Sequence, residues 1–102
     1  MISLSMQSYV KSKYLEFSKH EGSQHIAGEF AILKLVELVE RFQVTSILEI
    51  GLGIGTLPDA ILNYFKRDIA YVGTEANAFC LKSLKKNLSS EIYQRLSIFE
   101  TV

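Results

Sequence analysis

The pattern of apolar and polar positions predicts two helices in the first part of the chain. Apolar residues recur at helical spacing over residues 4–17, and small and polar residues at 18–23 interrupt this pattern. Ser23 is placed to cap a second, longer helix that continues to Phe42. We expect this helix to bury a one-sided stripe that consists of Ile26, Phe30, Leu33, Val36 or Glu37, and Val39 or Glu40.

Short apolar runs and amphipathic segments alternate through the rest of the chain, after a connector at residues 43–45. Strands are predicted at residues 46–50, 69–74 and 96–99, and helices at residues 57–66 and 78–88. Ile47, Leu48 and Ile50 give the first strand the composition of one that is buried on both faces. Because strands and helices alternate, we expect a parallel sheet in the order 3-2-1, with right-handed crossovers and helices on both faces.

A turn rich in glycine follows the first strand. Gly51, Gly53 and Gly55 occupy alternate positions, where the missing Cβ atoms let a ligand approach the backbone and permit positive φ. Thr56 is expected to cap the next helix, with Asp59 as the acidic partner in a capping box. A strand, a glycine turn and a helix N-terminus leave backbone N–H groups that point at a polar or anionic group. The pattern therefore predicts a site for a nucleotide-type cofactor.

Two motifs resemble those of a known family. The run Glu49-Ile50-Gly51-Leu52-Gly53-Ile54-Gly55 resembles the first motif, acidic-x-Gly-x-Gly-x-Gly, of class I S-adenosylmethionine-dependent methyltransferases. The second strand, Tyr71-Val72-Gly73-Thr74-Glu75, ends in a carboxylate at the distance expected for the same family. The resemblance covers the chain from about Ala27 to the C-terminus. The family's complete fold continues with further strands, so the chain resembles its first, cofactor-binding half.

The resemblance implies a Rossmann-like fold and S-adenosylmethionine as the cofactor. Glu49 would accept a hydrogen bond from the methionyl ammonium group, and Glu75 would accept hydrogen bonds from both ribose hydroxyls. Ala76 and Asn77 would flank the adenine edge, and Glu100 would approach the adenine amino group. The glycine turn would supply the remaining cofactor-binding residues, which are Gly51, Leu52, Gly53 and Gly55. No catalytic residue is assigned, because the later strands of the family normally carry the substrate pocket.

The three acidic residues also have structural interpretations. Glu49 lies at the end of a strand, where it could cap local backbone N–H groups. Glu75 could cap the helix that begins near Asn77. Glu100 fits a solvated strand end equally well.

Length and composition limit the remaining choices. A chain of 102 residues has room for a single domain, with N-terminal helices at residues 1–43 and a cofactor-binding βαβαβ unit at 44–102. Lys and Arg together number 11, as do Asp and Glu, so the net charge does not attract nucleic acid or an anionic membrane. The lone Cys80 excludes an internal disulfide and is expected to be a buried thiol. His20 and His25 lack a carboxylate at ligand spacing, so no metal site is predicted.

Neither a transmembrane helix nor a signal peptide is predicted. No apolar run approaches the ~20 residues that cross a membrane. The N-terminus also lacks a basic segment that is followed by an apolar core. We therefore expect a cytoplasmic protein.

Three functions fit the motifs. The first is an S-adenosylmethionine-binding methyltransferase, or its cofactor-binding half, that transfers a methyl group to an unknown acceptor. The second is a nicotinamide-dinucleotide-binding dehydrogenase-like domain, although its Gly-x-Gly-x-x-Gly/Ala fingerprint would need Gly or Ala where this chain has Thr56. The third is a non-catalytic interaction module. Because the glycine-motif strand lies at a sheet edge, we expect a homo-oligomer or a second chain that completes the sheet.

Overall fold

A computed structural model describes residues 2–101, which form a three-stranded sheet and five α-helices. The helices are α1 (Leu4–Ser18), α2 (Glu29–Arg41), α3 (Thr56–Tyr64), α4 (Ala78–Asn87) and α5 (Ser90–Arg95). The strands are β1 (Ser46–Ile50), β2 (Ala70–Thr74) and β3 (Leu96–Phe99). The elements agree with the predicted order, except that α5 occupies the segment predicted as a connector.

The sheet has the predicted topology. Its strands are parallel and lie in the order β1-β2-β3, with Ile47 beside Tyr71 and Tyr71 beside Leu96. This arrangement confirms the α/β class and places β1, which leads into the glycine turn, at an edge of the sheet. The carboxyl ends of all three strands lie on the same side of the sheet, where the connecting loops meet.

The helices cover only one face of the sheet over residues 2–101, which corrects the prediction of helices on both faces. Tyr71 is buried on the covered face, whereas Leu48 is 64% exposed, Ile50 72% and Phe99 58% on the other. The crossovers from β1 to β2 and from β2 to β3 run in the same direction across the sheet. Right-handed crossovers in one direction place their helices on the same side. The prediction that β1 is buried on both faces is therefore wrong for these residues.

The second helix begins later than predicted. Ser23 opens a 3-10 turn (Ser23–His25), and its hydroxyl donates to the Ser18 carbonyl at 3.0 Å instead of capping α2. Gly28 occupies the N-cap position of α2. A break of this kind brings the segment before α2 over the strand ends.

The buried stripe of α2 also differs from the prediction. Val36, Glu37 and Val39 are buried as the prediction allowed, but Phe30 is 76% exposed and Ile32 is buried. Burial of Glu37 is offset by ion pairs with Arg41 at 2.7 Å and with Lys34 at 3.3 Å. The buried stripe runs through Ile32 and Val36, and Phe30 lies two residues before Ile32, on the opposite side of the helix.

The N-terminus of α3 does not form the predicted capping box. Gly55 is its N-cap at φ 100°, and Thr56 is the first helical residue. Asp59 instead pairs with Lys13 of α1 at 2.9 Å. Glycine accepts this left-handed N-cap conformation without the strain that another residue would carry.

The N-terminal helices and the βα units share one hydrophobic core. The Tyr9 hydroxyl of α1 donates to the Ala60 carbonyl of α3 at 2.6 Å, beside the Lys13–Asp59 ion pair. Fully buried core side chains include Val10, Phe17, Ile32, Val36, Leu84 and Ile92. None of the helices over residues 2–101 is long and apolar enough to cross a membrane.

Gly73 is required for the packing of Leu52 against β2. A Cβ built at Gly73 would overlap the side chain of Leu52, which is only 3% exposed. We expect Gly73→Ala to lower the free energy of unfolding by about 1–3 kcal/mol, the usual cost of overpacking. Gly28→Ala is the control, because a Cβ there meets nothing within 4 Å. It should change stability by less than about 0.5 kcal/mol, since a weaker N-cap offsets the lower entropy of the unfolded chain. Equal urea midpoints for the two variants would contradict this assignment.

Candidate functional site

A cavity of about 380 Å³ lies at the carboxyl end of β1. Glu49 and the glycine turn form one wall, and the segment 22–27 between α1 and α2 forms the opposite wall. Thr56, Leu57 and Cys80 complete the lining. In open parallel sheets this is the position where ligands bind.

The glycine turn has the conformation that its sequence predicts. Gly51, Gly53 and Gly55 have φ values of 83°, 61° and 100°. A Cβ at Gly51 or Gly53 would meet nothing within 4 Å, whereas one at Gly55 would lie 3.1 Å from Leu88 Cδ2. The first two glycines therefore leave open space beside the cavity, and the third permits α3 to pack against α4.

The N–H groups of the turn are used within the protein, which corrects the expectation that they point at a ligand. The N–H groups of Gly51 and Leu52 donate to the Thr74 carbonyl, at 3.1 and 2.8 Å. Gly55 N–H donates to the Leu52 carbonyl at 3.3 Å, and Gly53 N–H donates to Glu75 Oε1 at 2.8 Å. At these four residues the turn therefore supplies shape, and the donors hold it against β2.

Glu75 joins the glycine turn to the start of the next helix. Its Oε1 accepts from Gly53 N–H at 2.8 Å, and its Oε2 accepts from Asn77 N–H at 3.0 Å. The structural interpretation of Glu75 as a cap near Asn77 is thus present in the folded chain. A carboxylate has about four lone-pair positions, so two backbone bonds leave room for two further donors.

Glu49 is held by a side chain that the sequence analysis did not identify. The Tyr71 hydroxyl donates to Glu49 Oε1 at 2.7 Å, so a tyrosine rather than a local backbone N–H contacts this oxygen. Burial raises the pKa of Glu49 to about 7, the bond from Tyr71 lowers it, and Glu75 adds to the increase. Burial and the Glu49 carboxylate raise the pKa of Tyr71, so its hydroxyl stays protonated and donates. Glu49 consequently titrates near neutral pH.

Ala76 and Asn77 line a second depression of about 340 Å³, which shares Gly51 with the cavity and also includes Glu75. Ala76 is exposed, and the Asn77 side chain accepts from Cys80 N–H at 3.0 Å as the N-cap of α4. All eight residues predicted to bind the cofactor therefore lie around the two neighbouring concavities or support them. Those residues are Glu49, Gly51, Leu52, Gly53, Gly55, Glu75, Ala76 and Asn77.

Three further residues have positions that bear on the site. Glu100 is exposed and is not among the residues that line either concavity, as its interpretation as a solvated strand end predicts. His25, expected on the surface, is exposed but lines the cavity wall together with Gly22 and Ile26. Burial raises the pKa of the Cys80 thiol, and Glu75 adds to the increase. Gly22 indicated that the first helix ends near this position. No local sequence pattern showed that the segment after it lies against the strand ends.

Three solved structures that share the fold are each described as methyltransferases. A Staphylococcus aureus protein assigned as a caffeoyl-CoA O-methyltransferase superposes with a TM-score of 0.70 and 20% identity, over 98% of this chain and 45% of its own. A Klebsiella pneumoniae protein assigned as an O-methyltransferase has a TM-score of 0.63 and 20% identity, over 95% of this chain and 43% of its own. A Pyrococcus horikoshii protein assigned as an RNA methyltransferase has a TM-score of 0.65 and 17% identity, over 90% of this chain and 50% of its own.

Similarity is confined to structure. No family model and no curated protein sequence matches the chain. The chain spans about half the length of the solved structures it matches. Over that length, the chain has the fold of the class I S-adenosylmethionine-dependent methyltransferases.

Proposed function

We propose that the chain is an S-adenosylmethionine-binding methyltransferase domain, or the cofactor-binding half of one. The observation that carries this proposal is the position of two carboxylates, Glu49 and Glu75, on either side of a glycine turn that opens onto a cavity. The fold agrees with the proposal, because the structures that share it are described as methyltransferases. None of those descriptions supports the dehydrogenase alternative.

The domain organisation belongs to the same proposal. Residues 1–43 and 44–102 are taken as one partial domain, because α1 contacts α3 through the Tyr9–Ala60 hydrogen bond and the Lys13–Asp59 ion pair. Removal of one partner of such a buried ion pair strongly destabilises the fold, because the other charge is then left buried without compensation. We therefore expect the N-terminal helices to be required for the βα units to fold.

The cofactor would span the two concavities. Glu49 would accept from the ammonium group in the cavity, and Glu75 would accept from the ribose hydroxyls at the boundary. The two free acceptor positions on Glu75 match the two hydroxyl donors, and its backbone bonds fix the carboxylate in place. The adenine would then lie in the depression beside Ala76 and Asn77.

The cofactor would supply an activated methyl group for in-line displacement, which requires mainly that donor and acceptor are held in the correct positions. The part assigned to this chain is to hold the donor. The Tyr71 hydrogen bond keeps Glu49 in one orientation, and Leu52, buried against Gly73, keeps the glycine turn on β2. Transfer to an acceptor is proposed for the complete protein.

Titration calorimetry with S-adenosylhomocysteine tests the site directly. Gly53→Val places a β-branched residue at φ 61°, where such residues are strained, and extends it into the open space beside the cavity. We expect affinity to fall by at least about tenfold, which is ~1.4 kcal/mol. Gly28→Val, at an ordinary φ of −70°, is the matched control and should bind normally. Equal heats for the wild-type chain and Gly53→Val, or binding of NAD in place of S-adenosylhomocysteine, would contradict the proposal.

Glu75→Gln separates ligand binding from structural support. The amide keeps one acceptor oxygen and places an NH₂ group against a donor, so affinity for S-adenosylhomocysteine should fall by about 1–3 kcal/mol. Stability without ligand should fall by about 1 kcal/mol, because one backbone N–H loses its acceptor. Glu91→Gln makes the same chemical change in the exposed first turn of α5 and should leave affinity unchanged. A loss of stability with unchanged affinity would show that Glu75 is only structural.

Ligand affinity should depend on pH through Glu49. A bound ammonium group favours the ionised carboxylate and lowers its pKa from the value of about 7 in the free protein. Affinity should therefore be highest above pH 7 and fall by about tenfold per pH unit below it, because binding must then release a proton. Glu49→Gln should remove this dependence.

In the free chain, Glu49 makes stability depend on pH in the direction opposite to that of ligand affinity. Since folding raises the pKa of Glu49, its contribution to stability is fully present below the unfolded value of 4.5 and is lost as pH rises through about 7. Denaturant titration of the free chain and of Glu49→Gln measures this contribution.

An affinity that stays flat across pH 7 in the wild-type chain would exclude the ammonium contact.

A further inference from the structure

A further concavity, of about 210 Å³, lies between α4 and the segment that follows α1. We call it the α4 depression. His20 and Glu21 line it from the segment, and Phe79, Lys82 and Lys86 line it from α4. None of these residues lines the cavity at the glycine turn or belongs to a strand. The depression is therefore separate from the candidate cofactor site.

Two ammonium groups at this depression have no carboxylate partner. Lys82 and Lys86 are four residues apart, so their side chains are neighbours on one face of α4. Within residues 2–101 neither forms an ion pair, whereas Lys13 and Lys34 do. Like charges at this spacing destabilise a helix. The helix dipole favours lysine in the last turn, which explains Lys86 but not Lys82.

His20 adds a polar atom that lacks a partner. In the described part of the chain, its Nε2 is buried and forms no hydrogen bond. The ring packs edge-on against Phe17, with centroids 4.8 Å apart, and this contact holds it in place. A buried nitrogen without a partner costs free energy, and a neutral imidazole can carry its hydrogen on Nε2 and donate. A ligand oxygen at the depression would remove that cost.

These groups suit a phosphate better than other small ligands. Two neighbouring ammonium groups repel a cation. A carboxylate has one charge and two oxygens, whereas a phosphate group carries about −1.5 to −2 at pH 7 and has three or more acceptor oxygens. It can therefore contact both ammonium groups and the imidazole together. The volume is below the roughly 300–1,000 Å³ of sites for drug-sized ligands, so the ligand is small.

Other groups at the depression limit the affinity. Glu21 carries a negative charge that opposes an anion. The Ser83 hydroxyl and the Asn87 amide also line the depression, but each already donates to a backbone carbonyl, at 2.9 and 3.1 Å. Binding therefore depends on the two ammonium groups and the imidazole.

We propose that the α4 depression binds a phosphate group, either free phosphate or a small phosphomonoester. Lys82 and Lys86 contact two of its oxygens, and His20 Nε2 donates to a third. Phe79 is 41% exposed and offers an apolar surface to the rest of a phosphomonoester. This site goes beyond the proposed methyltransferase function and does not rest on it.

Nuclear magnetic resonance of the histidine ring protons tests the proposal. The chain has two histidines, and His25 lines the other cavity, so it is an internal control. Phosphate is titrated at fixed pH, with sodium chloride used to keep the ionic strength constant. We expect a saturable shift of the His20 signal and none of the His25 signal. A His20 signal that does not move, or that moves equally with sodium chloride alone, would overturn the proposal.

Charge variants identify the groups that bind. Lys82→Gln and Lys86→Gln each remove one charge and should raise the phosphate dissociation constant by at least about threefold. Lys85→Gln is the matched control, because it makes the same change on the same helix outside the lining. It should change the constant by less than about twofold at 0.15 M salt, where the Debye length is about 8 Å. Glu21→Gln should strengthen binding. Circular dichroism confirms that each variant is folded, and equal constants for the three lysine variants would contradict the site.

Phenyl phosphate distinguishes the two sources of the phosphate group. Its ring can pack on Phe79, so a site for phosphomonoesters should bind it at least about threefold more tightly than inorganic phosphate. Equal or weaker binding would support free phosphate as the ligand. Binding of phenyl phosphate without a shift of the His20 signal would place it elsewhere and overturn the proposal.

S-adenosylhomocysteine separates this site from the proposed cofactor site. Because the two concavities share no lining residue, a saturating concentration should leave phosphate bound at His20. Displacement of phosphate would show that both ligands use one cavity, contrary to the proposal. Phosphate binding at His20 in a chain that does not bind S-adenosylhomocysteine would support this site and count against the proposed function alone.

Discussion

The Glu75 carboxylate is the contact on which the candidate site depends. One of its oxygens accepts from Gly53 N–H in the glycine turn after β1, and the other accepts from the N–H of Asn77, the N-cap of α4 after β2. Both donors are backbone N–H groups of loop residues. Hydrogen bonds from two N–H groups to an ionised carboxylate are stronger than two hydrogen bonds between neutral groups. It thus ties two loops into one rigid wall before any ligand binds.

This contact changes how the glycine motif acts. Alternate glycines are commonly expected to present backbone donors to a ligand. Here the N–H groups of Gly51, Leu52 and Gly53 donate to Thr74 and Glu75. The glycines instead permit positive φ and leave open space, and the polar contacts fall to the carboxylates of Glu49 and Glu75. The site is therefore acidic, which suits a ligand with ammonium and hydroxyl donors.

The open edge and open face of the sheet have a common origin. Both crossovers run in one direction from β1, so their helices α3, α4 and α5 lie on the same side, and within residues 2–101 β1 has a neighbouring strand on one side only. The solved structures with this fold are about twice as long. The same topology that forms the cavity thus leaves the other face of the sheet uncovered by residues 2–101.

Sequence alone determined the features that depend on neighbouring residues. The order of elements follows from periodicity, and the positive φ values at Gly51, Gly53 and Gly55 follow from residue type. Only the tertiary structure decided which groups meet. Tyr71 reaches Glu49 because parallel pairing places Tyr71 beside Ile47, two residues before Glu49 on the same face of the sheet. The wall at 22–27 depends on how α1 packs against α3, through Lys13 and Asp59, which lie far apart in the chain. Local patterns carry no record of such contacts, because their energy comes from residues that only folding brings together.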